Sequence, residues 1–131
     1  ARLADASALH RIYLNISWMR LDSPADWRAR LRHEPTWVAL EDGRVVGAAR
    51  WTKRYGQVVE VGGVATDPGR RRRGAATSAV LAATAPALSA GLTPVLCFQD
   101  PALAPLYLSL GYERVGRELA FRRLPPPVPG L

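Results

Sequence analysis

Apolar side chains recur along this chain at two spacings, and the switches between them mark out its elements. Leu9, Ile12, Tyr13 and Ile16 lie three or four residues apart, which predicts a helix over residues 7–19, with Asp5 or Ser7 as its cap. Residues 1–3 read as the stub of a strand. Ser23-Pro24 opens a second helix over residues 24–33, which Pro35 ends. Two apolar runs, 36–40 and 45–51, flank Glu41-Asp42-Gly43-Arg44, and Asp-Gly between such runs is a strong hairpin signal. A polar turn over 53–57 leads to a Val-rich strand over 58–66. The next helix spans 72–90, with Val80, Leu81, Thr84 and Leu88 on or near one face. Pro86 should kink it or end it early, and Gly91 suits its stop. Residues 94–98 read as a buried strand, parallel to 58–66 because a helix joins them. A short helix over 100–111, capped by Asp100, precedes two hairpin strands at 112–116 and 118–124. One domain over 1–124 and a proline-rich tail over 125–131 complete the chain.

The stretch from Val58 to Leu88 gathers the chemistry. A strand ends in Thr66-Asp67-Pro68-Gly69, four arginines follow, and small residues open a helix. A helix start carries unsatisfied N–H groups and the positive end of the macrodipole, so it attracts anions. Gly74, Ala75 and Ala76 let a phosphate approach the main chain, and Arg70 to Arg73 add forked cationic donors. The same arginines also read as a solvated charge run. Gly62-Gly63 within the strand suggests a bulge or a close backbone approach; the alternative is relief of crowding under Trp51 or another large side chain.

Composition narrows the field. The 131 residues carry 18 Lys+Arg against 11 Asp+Glu, a net charge of +7, which favours an anionic partner. Charge alone does not choose among nucleic acid, a membrane surface and a phosphorylated cofactor; its concentration at a helix start favours the cofactor. No apolar run approaches a membrane span, so no membrane partner is expected. Cys97 is the single cysteine, which rules out an intrachain disulfide and fits a cytoplasmic protein. His10 and His33 lie far apart and no metal-ligand spacing occurs, so no metal is expected.

Arg71-Arg72-Arg73-Gly74-Ala75-Ala76 fits the (Gln/Arg)-x-x-Gly-x-(Gly/Ala) signature of the GCN5-related N-acetyltransferases (GNAT), with a strand before it and a helix after it. The segment from Asp100 to Tyr112 resembles the same family's Asn-x-x-Ala-x-x-x-Tyr-x-x-x-Gly-Phe, with Asp100, Leu103 and Tyr112 as departures. The resemblance is strongest from Val58 to Tyr112, and the central stretch looks closest to the FR47-like branch. It implies an α/β fold: a mixed central sheet flanked by helices, with a splay between two parallel strands into which the pantetheine arm of acetyl-CoA enters. It implies main-chain contacts to pantetheine from Val64, Ala65 and Thr66, and pyrophosphate held by N–H groups from Arg71, Arg72, Arg73, Gly74, Ala75, Ala76 and Thr77. Asp100 stands at a further cofactor-contact position, where a carboxylate cannot donate as asparagine does.

The implied chemistry is acetyl transfer to a primary amine by direct attack. Tyr107 takes the position of the tyrosine that protonates the departing sulfur, and a phenol with a pKa of about 10 holds its proton at neutral pH. Glu60 stands where some members of the family place a general base; others use ordered water. The segment between the first two helices commonly borders the acceptor, so Tyr13, Trp18, Met19 and Trp27 either line a pocket or pack in the core. Cys97, on an apolar strand with no neighbouring histidine, reads as a core residue. A small-molecule or peptide amine is the expected partner, acting on a monomer or homodimer. The competing readings are a silent acyl-CoA-binding sensor and a basic nucleic-acid module, which this sequence provides with no known motif.

Overall fold

In the computed structural model, β1 (Thr36–Glu41), β2 (Arg44–Tyr55), β3 (Val58–Thr66) and β4 (Thr93–Val95) form one sheet in that order. The first three are antiparallel, and β4 lies parallel to β3. The structure describes residues 1–14, 16, 23–70, 74–98 and 100–119. Helices α1 (Ala6–Tyr13) and α2 (Pro24–Leu31) cover one face of the sheet, while α3 (Ala75–Ser89) covers the other. A shorter helix, α4 (Ala104–Ser109), shares the core on the α3 side. The alternation of β2 separates these layers: Ala48 packs with α1 and α2, and its neighbour Ala49 packs with α3. Among the described residues no helix is long and apolar enough to cross a membrane.

Local chemistry accounts for most boundaries. Ser23 caps α2 by accepting from the Asp26 N–H at 3.2 Å, with Pro24 in the first turn. Asp42 and Gly43 turn the β1–β2 hairpin with positive φ of 50° and 76°. α3 ends in a Schellman motif: Gly91 N–H donates to Leu88 O and Leu92 N–H to Ala87 O, which seats Leu92 against Ala87 and Val59.

Several expectations are corrected. Residues 3–5 form a short 3-10 turn rather than the end of a strand, and Asp5 is buried, accepting from Arg2 N–H at 2.7 Å instead of capping α1 with its side chain. α1 stops at Tyr13 and α2 at Leu31. β2 continues past Trp51 to Tyr55, because Lys53, Arg54 and Tyr55 pair with Glu60, Val59 and Val58. Pro86 does not end α3. The face that α3 buries is Ala75, Ala79, Ala83 and Ala87 with Val80 and Thr84, while Leu81 and Leu88 are exposed. Alanine every fourth residue makes a narrow ridge that lets the helix settle close to the tryptophans of the sheet. Trp51 Nε1 donates to Ala83 O at 2.8 Å across that contact. Residues 112–119 form no strand, and the remainder of the expected final hairpin lies outside the described residues.

Candidate active site at the parting of two strands

β3 and β4 pair over three positions only: Val58 with Thr93, Val59 with Pro94 and Glu60 with Val95. Beyond Glu60, β3 runs on to Thr66 while the chain after Val95 leaves the ladder. Along the same stretch the β2 register jumps, so that Ala48 faces Ala65 and Arg50 faces Gly62. Gly63 and Val64 thus stand against Ala49 alone, two residues against one, which is a bulge. Burial confirms it independently. Val61 packs toward α3 and Ala65 toward α1, although four residues of regular strand would leave both on one face. The extra residue turns the strand over.

Gly63 has φ of +57°, and a Cβ there would come within 2.4 Å of Arg50 Nε. Both facts demand glycine. Arg50 itself is 3% exposed, paired with Glu34 Oε2 at 2.8 Å and placed against the rings of Tyr13 and Trp27 at 5.4 and 5.3 Å. Tyr13 and Trp27 are fully buried and stacked, their centroids 4.7 Å apart, so both are core residues rather than pocket lining. Burial pushes the Tyr13 phenol up to about 12, and its hydroxyl donates to Gly63 O. Trp18 and Met19 lie outside the described residues.

The turn after β3 is pinned by Asp67, whose N–H donates to Val46 O at 2.8 Å and whose carboxylate faces Arg11 and Arg44 at 3.7 and 3.6 Å. Gly74, with φ of +77°, caps α3. Ala75 is buried against Gly47, where a Cβ would stand 3.0 Å from both Ala75 Cβ and Ala75 O. The helix start is therefore held on the sheet by two small residues, with Gly74 exposed and Ala76 and Thr77 half-buried. Arg71, Arg72 and Arg73 lie outside the described residues.

The two faces of the strand gap carry different chemistry. On the α3 side, Tyr107 of α4 is buried with Val61, Val80 and Ala83, and Val64, Leu96 and Tyr112 pack against that cluster. The Phe98 ring packs against Tyr107 at a tilt of 35°, with centroids 5.2 Å apart. Burial raises the Tyr107 phenol above its usual range, helped by the neighbouring Tyr112. The spacing of Tyr107, Gly111 and Tyr112 has a structural cause. Gly111, at φ of +92°, ends α4 in a second Schellman motif, and Tyr112 N–H returns to Tyr107 O at 3.2 Å.

On the other face, Glu60 accepts from Thr52 Oγ1 at 2.5 Å. The Glu60, Cys97 and Glu118 side chains bring one polar atom each within 4.8 Å of one another. Cys97 is exposed, which corrects its reading as a core residue; β4 has already ended, and the expected strand over 94–98 stops at Val95. A hydrogen bond to Glu118, burial and the nearby carboxylate charges push its thiol up to about 11. Val64, Ala65 and Thr66 line the bulged half of β3, and Asp100 Oδ1 accepts from Ala102 N–H at 3.0 Å as a cap. Arg50, Phe98 and Glu118 escaped the sequence reading. Arg50 alone left a trace there, as a lone arginine inside an apolar run.

A mixed sheet whose parallel strands separate beside a bulge, with a glycine-led helix start at the end of the bulged strand, defines an acetyltransferase architecture. The Acetyltransferase (GNAT) family profile matches residues 3–112, and the chain belongs to this family. Solved structures agree on the fold. A protein of Agrobacterium tumefaciens strain C58 aligns with a TM-score of 0.76 at 23% identity, covering 94% of this chain and 96% of its own. Rv2747 from Mycobacterium tuberculosis, solved in complex with CoA and NLQ, aligns at 0.72 with 18% identity over 88% and 70% of the two chains. The ribosomal-protein-alanine N-acetyltransferase from Brucella melitensis aligns at 0.73 with 21% identity over 88% and 83%. No curated protein sequence matches the chain.

Proposed function

We propose that the protein transfers an acetyl group from acetyl-CoA to a primary amine by direct attack within the gap between β3 and β4. The observation that carries this reading is the three-pair β3–β4 ladder, which ends where a carboxylate and a phenol approach from opposite faces of the sheet. Main-chain groups of Val64, Ala65 and Thr66 would hold the pantetheine strand-fashion. N–H groups from Gly74 to Thr77, with Arg71 to Arg73, would hold the diphosphate.

In this reading Glu60 withdraws a proton from the incoming ammonium, so that its nitrogen gains a lone pair and attacks the thioester carbonyl. Val64 N–H polarises that carbonyl and steadies the oxyanion. As the carbon–sulfur bond breaks, Tyr107 gives its proton to the thiolate and the second proton of nitrogen passes to water. Glu60 then loses its proton and Tyr107 regains one by exchange with solvent, so one proton is released per turnover. The products are an amide and the free thiol of CoA. The Cys97 thiol, held protonated by Glu118, is no competing nucleophile at neutral pH. Two carboxylates beside the gap suit an amine that arrives as a cation, whether a small molecule or a peptide; the Brucella melitensis relative is described as acting on ribosomal-protein alanine.

The test has two stages. CoA should raise the melting temperature, since a ligand restricted to the native state at about 100 times its Kd adds about 2.7 kcal/mol. Thiol release should then follow when amines, amino acids and peptides are screened with acetyl-CoA. Binding without thiol release would make the chain a silent acyl-CoA sensor, and no binding would overturn the reading.

A further inference from the structure

We infer that Tyr13 and Arg50, on the face of the sheet opposite Tyr107, are positioning residues that aim the Val64 N–H into the strand gap. The inference rests on the acetyl-transfer reading and adds to it the source of the amide's orientation.

The Tyr13 hydroxyl donates to the carbonyl of Gly63. That carbonyl and the Val64 N–H belong to one peptide group. The chain has no cis peptide bond among its described residues, and in a trans peptide C=O and N–H point in opposite directions. Fixing the carbonyl toward α1 therefore fixes the N–H away from α1, toward the side on which Val64 packs with Tyr107. A bulged peptide with a left-handed glycine is the part of a strand least held by its ladder, so a side-chain bond there has orientation to supply.

Arg50 closes the second degree of freedom. Its guanidinium fills the space a Gly63 Cβ would occupy, with Nε 2.4 Å and Nη2 2.7 Å from that point. It is itself immobilised by Glu34 and by the Tyr13 and Trp27 rings. Among the described residues the buried Arg50 Nε has no hydrogen-bond partner, so the guanidinium is held there by Glu34, by the two rings and by its fit against the bulge. Tyr13 is fully buried, too far inside to meet the acceptor, so its hydroxyl acts on the reaction only through this peptide.

The experiment compares wild type with Tyr13→Phe, which keeps the ring and its stacking on Trp27. Acetyl-CoA kinetics should show kcat reduced at least tenfold with the acetyl-CoA KM within about twofold. An unchanged kcat, or a loss carried by KM, would overturn the inference. A second readout needs no turnover. In 15N-labelled protein the Val64 amide should shift more with acetyl-CoA than with CoA, and Tyr13→Phe should abolish that difference while still binding both. A difference that persists in Tyr13→Phe overturns the positioning role. Absence of thiol release from wild type, with the amide difference present, would instead count against the enzyme reading alone. If Tyr13→Phe loses its fold, Arg50→Lys, which keeps a cation beside Glu34 but removes the planar group under Gly63, is read by the same two measurements with the same outcomes deciding.

Discussion

Thr84 Oγ1 and Tyr112 Oη lie 2.6 Å apart, and a third atom sets the direction of the proton between them. Thr84 has one hydroxyl hydrogen and spends it on Val80 O at 2.7 Å, so Tyr112 is the donor to Thr84. Because Tyr112 N–H also returns to Tyr107 O, this bond fastens the end of α4 to the middle of α3. Tyr112→Phe leaves the Thr84–Val80 bond intact and should lower stability by about 0.5–1.5 kcal/mol, read as the urea midpoint at unchanged m-value.

Tyr107→Phe removes the proposed acid while keeping the ring against Phe98. Its kcat for thiol release should fall by about 10²- to 10⁴-fold at pH 7.5. Burial raises the Tyr107 phenol, so its active, protonated form persists to a higher pH than an ordinary phenol would. The wild-type kcat should therefore show no loss attributable to this group until above about pH 10, and a descending limb near pH 8 assigned to Tyr107 would contradict the role.

Cys97 is exposed yet should react slowly. With the thiol pushed up to about 11, little thiolate exists at neutral pH, and alkylation by iodoacetamide should accelerate as pH rises through that value. Glu118→Gln removes the carboxylate that holds the proton, lowers the thiol pKa and should speed alkylation at pH 8. Mass-spectrometric rates for the two proteins decide the matter, since the chain has no other cysteine.

Gly47 separates β2 from the first turn of α3. Gly47→Ala sets a methyl 3.0 Å from Ala75 Cβ and from the Ala75 carbonyl, which is main chain and cannot simply rotate away. The helix start must lift, at a cost of about 1–3 kcal/mol. If that helix start holds the diphosphate, CoA should also bind more weakly in this variant, as calorimetry would record.

Much of this architecture is legible in local chemistry. Asp42-Gly43, Ser23-Pro24 and Gly91 each act over a few residues, and each turns, starts or stops its element as their residue types require. The strand over 58–66 and its parallel partner follow from period and connection. Where reading failed, the deciding partner lay far along the chain. Leu81 and Leu88 look like a helix's buried face until the bulky Trp37 and Trp51 of the sheet select the alanine ridge instead. Cys97 looks like core until β4 stops two residues before it.

From the order of residues alone come the strand–turn–helix unit, the glycine pair that weakens β3, and Tyr107 at its interval from Gly111, because such signals act through neighbouring peptides. Which way β3 faces after Gly63, and which face of the sheet α4 brings Tyr107 to, emerge only in three dimensions. A bulge adds one residue to one strand, and that count is made against its partners: Ala49 on β2, Arg50 and Tyr13 behind it, and a β4 that has already departed.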